Sequence, residues 1–159
     1  MYLRFLLGSF LAGSLIGIIS CGSPAERTCS DEKVVKTLKA GLFGKDLITA
    51  LILGEKYIEK KYGFSEEELK NIYSGLKKIR SEEEAVNFIN NKLGDKIRFL
   101  GLTLAEDFPY KKKTYHCRGI FRVLNKEKYS IEYKVREVKT GKYEVKIERV
   151  TILDAKVFH

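Results

Sequence analysis

The sequence predicts an α+β fold in which N-terminal helices pack on one face of a C-terminal four-stranded antiparallel meander. Two observations support this prediction. Apolar residues recur at helical spacing as far as residue 93, and from residue 96 onward they alternate with polar residues, as in strands with one buried face. Residues 28–159 form a single predicted domain, which is long enough to bury a core of its own.

The first residues are typical of an export signal. A basic start ends at Arg4, and an uncharged run follows from Phe5 to Ser20. This run is shorter than the roughly 20 residues that a helix needs to cross the hydrocarbon region of a bilayer. We therefore predict that residues 1–20 are a signal peptide and not a transmembrane helix.

The segment Ile18-Ile19-Ser20-Cys21 resembles a lipobox. In proteins with that motif the thiol carries diacylglycerol, and a signal peptidase cleaves before the cysteine. The resemblance implies lipidation at Cys21, with residues 21–27 as a lipidated tether. The alternatives are an uncleaved N-terminal anchor and an ordinary secreted protein with an incidental cysteine. Because Gly22 follows the cysteine, we expect a periplasm-facing protein held at the outer membrane in preference to the inner one.

Two further cysteines, Cys29 and Cys117, are present. In an oxidising compartment an even pair tends to be joined, so we predict one disulfide. The alternative is a free buried thiol at each position.

Four helical segments are predicted. The first opens at Asp31-Glu32 and is interrupted at Gly41 and Gly44, unless the two parts form one kinked helix. The second restarts at Asp46 and ends at Gly63. Its apolar residues Leu47, Ile48, Leu51, Ile52 and Ile58 lie on one side.

The third and fourth helices follow capping boxes, Ser65 with Glu68 and Ser81 with Glu84. The acidic residues that follow each serine complement the helix dipole, which explains them better than metal binding does. The fourth helix ends at Gly94.

Four strands follow, beginning with residues 96–105. Turns are predicted at residues 125–128 and 139–142. The inner faces of the last three strands carry Tyr115, Cys117, Phe121 and Val123, then Tyr129, Ile131, Tyr133 and Val135, then Tyr143, Val145 and Ile147. Val150 and Ile152 are out of phase with this last set, which predicts a bulge near Glu148.

Three features together resemble a group of small bacterial lipoproteins. They are Thr28-Cys29-Ser30-Asp31 at a helix start, Tyr115-x-Cys117 in a middle strand, and Ile131-x-Tyr133-x-Val135 followed by Tyr143-x-Val145. The resemblance implies a domain similar in outline to cystatin-like or NTF2-like folds. It implies no catalytic residues.

Positive charge is concentrated in the last third of the chain. Residues 22–110 hold 15 basic and 15 acidic residues, whereas residues 111–159 hold 14 and 6. Alternation places seven cations near or on the outer sheet face as candidate anion-binding residues: Lys111, Lys112, Lys113, Arg118, Arg122, Lys134 and Arg136. Glu132, Glu144 and Glu148 alternate outward as well, so an ordinary salt-bridged face is the alternative.

Few residues indicate catalysis or cofactor binding. His116 is predicted on the outer face, where Glu106 or Asp107 could pair with it as an acid–base couple, but a solvated loop explains these carboxylates better. Metal, phosphate-loop and nucleophile motifs are absent, so we predict neither a metal nor a cofactor.

The sequence therefore favours a non-enzymatic role in the cell envelope, with an envelope protein or an anionic glycolipid as partner. Nucleic acid is not an expected partner outside the cytoplasm. The alternatives are a purely structural subunit, and a small-molecule carrier or enzyme with an NTF2-like pocket between helices and sheet.

Overall fold

A computed structural model of the protein describes residues 24–105 and 113–153. The elements in chain order are α1 (Pro24–Cys29), α2 (Glu32–Leu53), α3 (Lys56–Tyr62), α4 (Glu66–Leu76), α5 (Glu82–Leu93), β1 (Ile97–Leu104), β2 (Thr114–Val123), β3 (Lys128–Lys139) and β4 (Lys142–Ile152). All strand pairs are antiparallel in the order β1-β2-β3-β4, which confirms the predicted α+β meander.

The chain becomes helical earlier than the predicted domain start at residue 28. Helix α1 begins at Pro24, within the segment predicted as a tether. Proline suits the first turn of a helix, where its missing N–H has no intrahelical acceptor. The lipidation candidate Cys21 and residues 1–20 lie outside the described part of the chain.

Helix α2 is one continuous helix of 22 residues through Gly41 and Gly44, in agreement with the alternative of a single helix and not with an interruption there. The predicted helix from Asp46 to Gly63 is wrong, because the helical structure breaks at Gly54 before α3. The helix ends at Gly54, which has a φ of 95°. Gly41 instead allows α2 to approach the sheet, because a Cβ atom there would lie 3.1 Å from Cδ1 of Ile147. Asp31 caps the helix and accepts a 2.9 Å hydrogen bond from the amide of Lys33.

The two predicted capping boxes differ in completeness. Ser65 and Glu68 form both reciprocal hydrogen bonds at the start of α4, as predicted. At the start of α5, Ser81 accepts from the amide of Glu84 at 3.2 Å, but the Glu84 carboxylate accepts from the amide of Arg80.

The β3–β4 pairing confirms the bulge predicted near Glu148. Glu132 lies opposite Arg149 and the next residue, Tyr133, lies opposite Ile147, so Glu148 is the extra residue. Both Glu148 and Arg149 therefore lie on the outer face, and Val150 returns to the inner face.

The inner sheet face is packed against the helices. Phe121, Ile131, Tyr133 and Val135 are each at most 2% exposed, and they belong to one core cluster with Leu38 and other residues of the helices. A disulfide joins Cys29 and Cys117, whose Cα atoms lie 5.8 Å apart, and so connects the end of α1 to this face.

The end of α2 departs from the sequence-based expectation. Ile48, Leu51 and Ile52 are 64%, 85% and 83% exposed, although they were expected to share a packed side of their helix. The reason is the direction in which α3 returns. It packs on the side of α2 that carries Asp46 and the buried Ala50, and it leaves the Ile48 side without a neighbour.

Candidate functional site

The outer sheet face is the candidate site that the sequence indicates. β2 and β3 place Arg118, Arg122, Lys134 and Arg136 on this face, as their alternation predicts. Lys113 lies at an exposed turn before β2. Lys111 and Lys112 fall outside the described residues, as do Glu106 and Asp107, the candidate partners of His116.

Glutamates balance the positive charge on the β3–β4 half of this face. Lys134 lies 3.3 Å from Glu148, and Arg149 lies 3.7 Å from Glu132. The Arg136 guanidinium donates from Nε to Glu144 at 3.0 Å. Exposed pairs of this kind contribute only about 0–1 kcal/mol each to stability, but they reduce the local field. The predicted basic surface is therefore not continuous.

A second set of cations on the same face has no such partners. Arg122 lies opposite Arg98 on one side and opposite Lys128 on the other. We call these three residues the cationic row. Among the residues that the structure describes, no acidic side chain forms an ion pair with any of them.

The cationic row is unfavourable for folding. Directly opposed residues of neighbouring strands have Cβ atoms about 4.5–5.5 Å apart, and like charges at that distance repel. Arg122 is half-buried, and its Nε atom is buried without a hydrogen-bond partner. A buried donor of this kind loses its water and gains no acceptor in return. An anion at this position would satisfy the donor and screen the three charges.

Arg98 and Lys128 were not predicted from the sequence as members of a binding surface. Both lie at strand ends, where membership of the outer face depends on the register. In the turn after β2, Leu124 and Asn125 both have positive φ and Lys126 donates to the Val123 carbonyl. A two-residue loop at that point would place Glu127 opposite Arg122, but the connection contains one extra residue and Lys128 takes that position. The turn signal in the sequence therefore does not identify the row.

Depressions are present on the described surface. A shallow one of about 220 Å³ lies beside His116 on the outer face, between Arg118 and Glu148. A larger groove of about 790 Å³ runs between α2, α5 and the β3–β4 hairpin, and residues of both charge signs line it, among them Lys36 and Glu83. The inner-face residues Tyr143 and Val145 line this groove, so it opens at the β4 edge of the helix–sheet interface, the region where an NTF2-like pocket would lie.

A polar cluster that the sequence did not predict lies at the α2–α3 junction. The Asp46 carboxylate accepts hydrogen bonds from the hydroxyls of Tyr57, at 3.1 Å, and of Tyr62. Lys61 lies 2.9 Å from the same carboxylate. The Lys61 ammonium also lies 4.9 Å from the centre of the Tyr129 ring, which connects the cluster to β3.

The contacts of this cluster join two helices. Burial, together with the nearby Asp46 carboxylate, raises the pKa of Tyr57 to about 12 and raises the pKa of Tyr62 further. Both phenols are therefore protonated at neutral pH, and they donate to Asp46 instead of acting as bases. Because the two hydroxyls and the Lys61 ammonium all bind one carboxylate of α2, the cluster holds α3 against α2.

No helix in the described part of the chain is both long and apolar enough to cross a membrane. Within the same residues, no three His, Cys, Asp or Glu side chains are grouped as metal ligands. No protein-family model, curated protein or solved structure matches the chain. Its function must therefore be inferred from its own residues.

Proposed function

We propose that the protein is a cell-envelope lipoprotein, attached to a membrane through lipid on Cys21, that binds an anionic envelope component without catalysing a reaction. The observation that carries the binding role is the cationic row of Arg98, Arg122 and Lys128, whose charges have no acidic partners among the described residues. The attachment rests on the lipobox-like segment Ile18-Ile19-Ser20-Cys21.

The chemistry of the row favours a phosphate-bearing ligand, such as the phosphate groups of a glycolipid. Guanidinium groups bind phosphate oxygens through paired N–H donors, and such charge-assisted bonds are stronger than neutral ones. Arg122 already has a buried donor without an acceptor. The row therefore carries donor groups and charge that a phosphate would complement.

Packing of the inner sheet face argues against the carrier alternative. Two tyrosine hydroxyls at the centre of the domain make internal contacts, since Tyr133 donates to the Cys29 carbonyl and Tyr62 donates to Asp46. Tyr143, in contrast, lines the groove at the β4 edge. The side chains of Phe121 and Ile131 are buried at the centre of this face. This supports a surface-binding role over binding in an interior cavity.

Two matched variants test the proposed site. In the first, Arg98→Gln, Arg122→Gln and Lys128→Gln remove the row. In the second, Lys134→Gln, Arg136→Gln and Arg149→Gln remove the same formal charge from the cations that are paired with glutamates. Binding of a soluble form, residues 21–159 with Cys21→Ser, to vesicles containing phosphate-bearing glycolipid is measured at low and moderate salt.

Each basic side chain near an anionic membrane surface contributes about 1 kcal/mol to binding, so loss of the row should weaken binding on the order of 100-fold. The control variant should bind with little change, and salt should weaken binding of the unmodified protein. Equal losses in the two variants would mean that net charge alone, and not the row, attracts the vesicles. Absence of salt-sensitive binding in the unmodified protein would refute the binding role.

A further inference from the structure

The last turn of α2 exposes an unusual amount of apolar surface. Ile48, Leu51, Ile52 and Leu53 are 64%, 85%, 83% and 64% exposed. We call these four residues the apolar tip. Successive helix residues point about 100° apart, so the exposure of three consecutive side chains means that this turn lacks neighbours on most sides. The tip projects from the domain at the α2–α3 junction.

We infer that the apolar tip inserts into the interface of the same membrane that holds Cys21, so that the domain has a second, non-covalent membrane contact. This inference rests on the lipid attachment proposed above. To that attachment it adds the residues that contact lipid and the direction in which α2 lies.

The length of chain between lipid and domain supports a bilayer as the occupant. From Cys21 to the start of α1 at Pro24 there are three residues, which span about 10 Å at most. A lipid-bearing Cys21 therefore keeps the whole domain next to the bilayer. An exposed apolar turn so close to a membrane encounters lipid far more often than any dilute protein partner.

The composition of the tip also suits an interface. Large aliphatic side chains enter the boundary between head groups and acyl chains, while flanking lysines stay among the head groups. Lys45 and Lys56 are exposed on either side of the tip, with Glu55 next to Lys56. The tip is too short to span the bilayer, so the expected contact is shallow.

The geometry then defines how the domain lies. Helix α2 has 22 residues and is about 33 Å long, with its first turn near α1 and its last turn at the tip. Because the tether reaches only about 10 Å, both ends can contact one bilayer only if α2 lies nearly parallel to its surface.

A single tryptophan can report on the tip, because the chain has no tryptophan of its own. The lipid-bearing protein with Leu51→Trp is reconstituted into vesicles, and tryptophan emission and quenching by bromine-labelled acyl chains are recorded. Val138→Trp is the matched control, since Val138 is 45% exposed on the β3–β4 hairpin. We expect blue-shifted emission and lipid quenching for Leu51→Trp, and neither effect for Val138→Trp.

A charge variant tests the aliphatic side chains themselves. Adding Ile48→Asp and Ile52→Asp to the Leu51→Trp protein should abolish lipid quenching, because each lost aliphatic side chain lowers the inserted population about 10-fold or more. Protein concentration is varied in parallel to detect self-association through the tip.

The possible results separate the two proposals. Consider Leu51→Trp protein whose acylation has been verified by mass. If a water-soluble quencher reaches its indole and the bromine-labelled lipid does not, the inserted tip is overturned and the anchor stands. If that indole becomes buried with rising protein concentration and without lipid quenching, a second copy is the occupant and the inserted tip is again overturned. If natively produced Leu51→Trp protein is found by mass to carry no acyl group, the anchor is refuted, and lipid quenching of that same protein would still support the tip.

Discussion

The Tyr133 hydroxyl donates a 2.7 Å hydrogen bond to the backbone carbonyl of Cys29, 104 residues earlier in the chain. Cys29 is bonded in turn to Cys117, which lies directly opposite Tyr133 in the β2–β3 pairing. The end of α1 is therefore held to the sheet by one covalent bond and one buried hydrogen bond at adjacent points. Through this junction the N-terminal tether is connected to the middle of the sheet.

Replacing Tyr133 with Phe should lower the free energy of unfolding by about 1–3 kcal/mol. The Cys29 carbonyl would lose its hydrogen bond from the phenol in a buried position, and an unsatisfied buried acceptor costs about that much. Urea unfolding of both proteins measures the difference. Tyr143→Phe is the control, since the Tyr143 hydroxyl makes no hydrogen bond within the described residues, and its replacement should change stability little. Equal stabilities of Tyr133→Phe and the unmodified protein would contradict a stabilising role for this bond.

The Asp46 cluster should be essential for stability. Asp46→Ala would leave Lys61 without its carboxylate, at a position where the lysine side chain is 17% exposed, and would leave the Tyr62 hydroxyl without its acceptor. Removing one partner of a buried ion pair typically costs about 3–5 kcal/mol. The neighbouring exposed residue offers the control Lys45→Ala, for which we expect almost no change. Thermal unfolding of the two variants compares them, and similar melting temperatures would show that the cluster does not hold α3 in place.

Stability should fall at alkaline pH. The folded state raises the pKa of Tyr57 from 10 to about 12, mainly through burial and then through Asp46, so the unfolded chain loses this proton first. This contribution to stability is fully present below pH 10 and disappears as the pH rises to about 12. Burial raises the pKa of Tyr62 and of Tyr133 as well, which acts in the same direction. Urea midpoints between pH 8 and 12 should decline less steeply for Tyr57→Phe, and identical slopes would contradict the assignment.

Two glycine substitutions should have opposite effects. A Cβ atom at Gly119 would lie 2.4 Å from the Gly101 carbonyl oxygen of the neighbouring strand, so Gly119→Ala must displace backbone and should destabilise by about 1–3 kcal/mol. A Cβ atom at Gly44, inside α2, meets nothing within 4 Å. Gly44→Ala should therefore stabilise the protein by about 0.5–1 kcal/mol through the helix preference for alanine. Calorimetry of both variants measures the two shifts, and a stabilising Gly119→Ala would contradict the observed strand approach.

Features that depend on local sequence could be predicted. The capping pair of Ser65 and Glu68 lies within one helical turn, and the phase change around Glu148 can be read from the alternation of a single strand. Each of these signals is complete within a few residues. The order of the last three strands followed from the short turns between them.

Features that depend on tertiary packing could not be predicted. Asp46 has the residue type of a helix cap, but α2 continues through it and α3 folds back to supply its hydrogen-bond donors. Ile48 and Ile52 lie on an exposed side of α2, yet their helical spacing is the same as that of apolar residues on a buried side. Which side is covered depends on the direction that the chain takes after Gly54, and no periodicity encodes that direction.

The most direct test of the proposed attachment is the intact mass of the protein isolated from membranes of the cells that naturally produce it. Lipid attachment at Cys21 predicts the mass of a chain that begins at that residue, plus a diacylglyceryl group and minus the two hydrogens lost in the disulfide between Cys29 and Cys117. A chain that still begins at Met1, or one whose Cys21 thiol carries no acyl adduct, would contradict it.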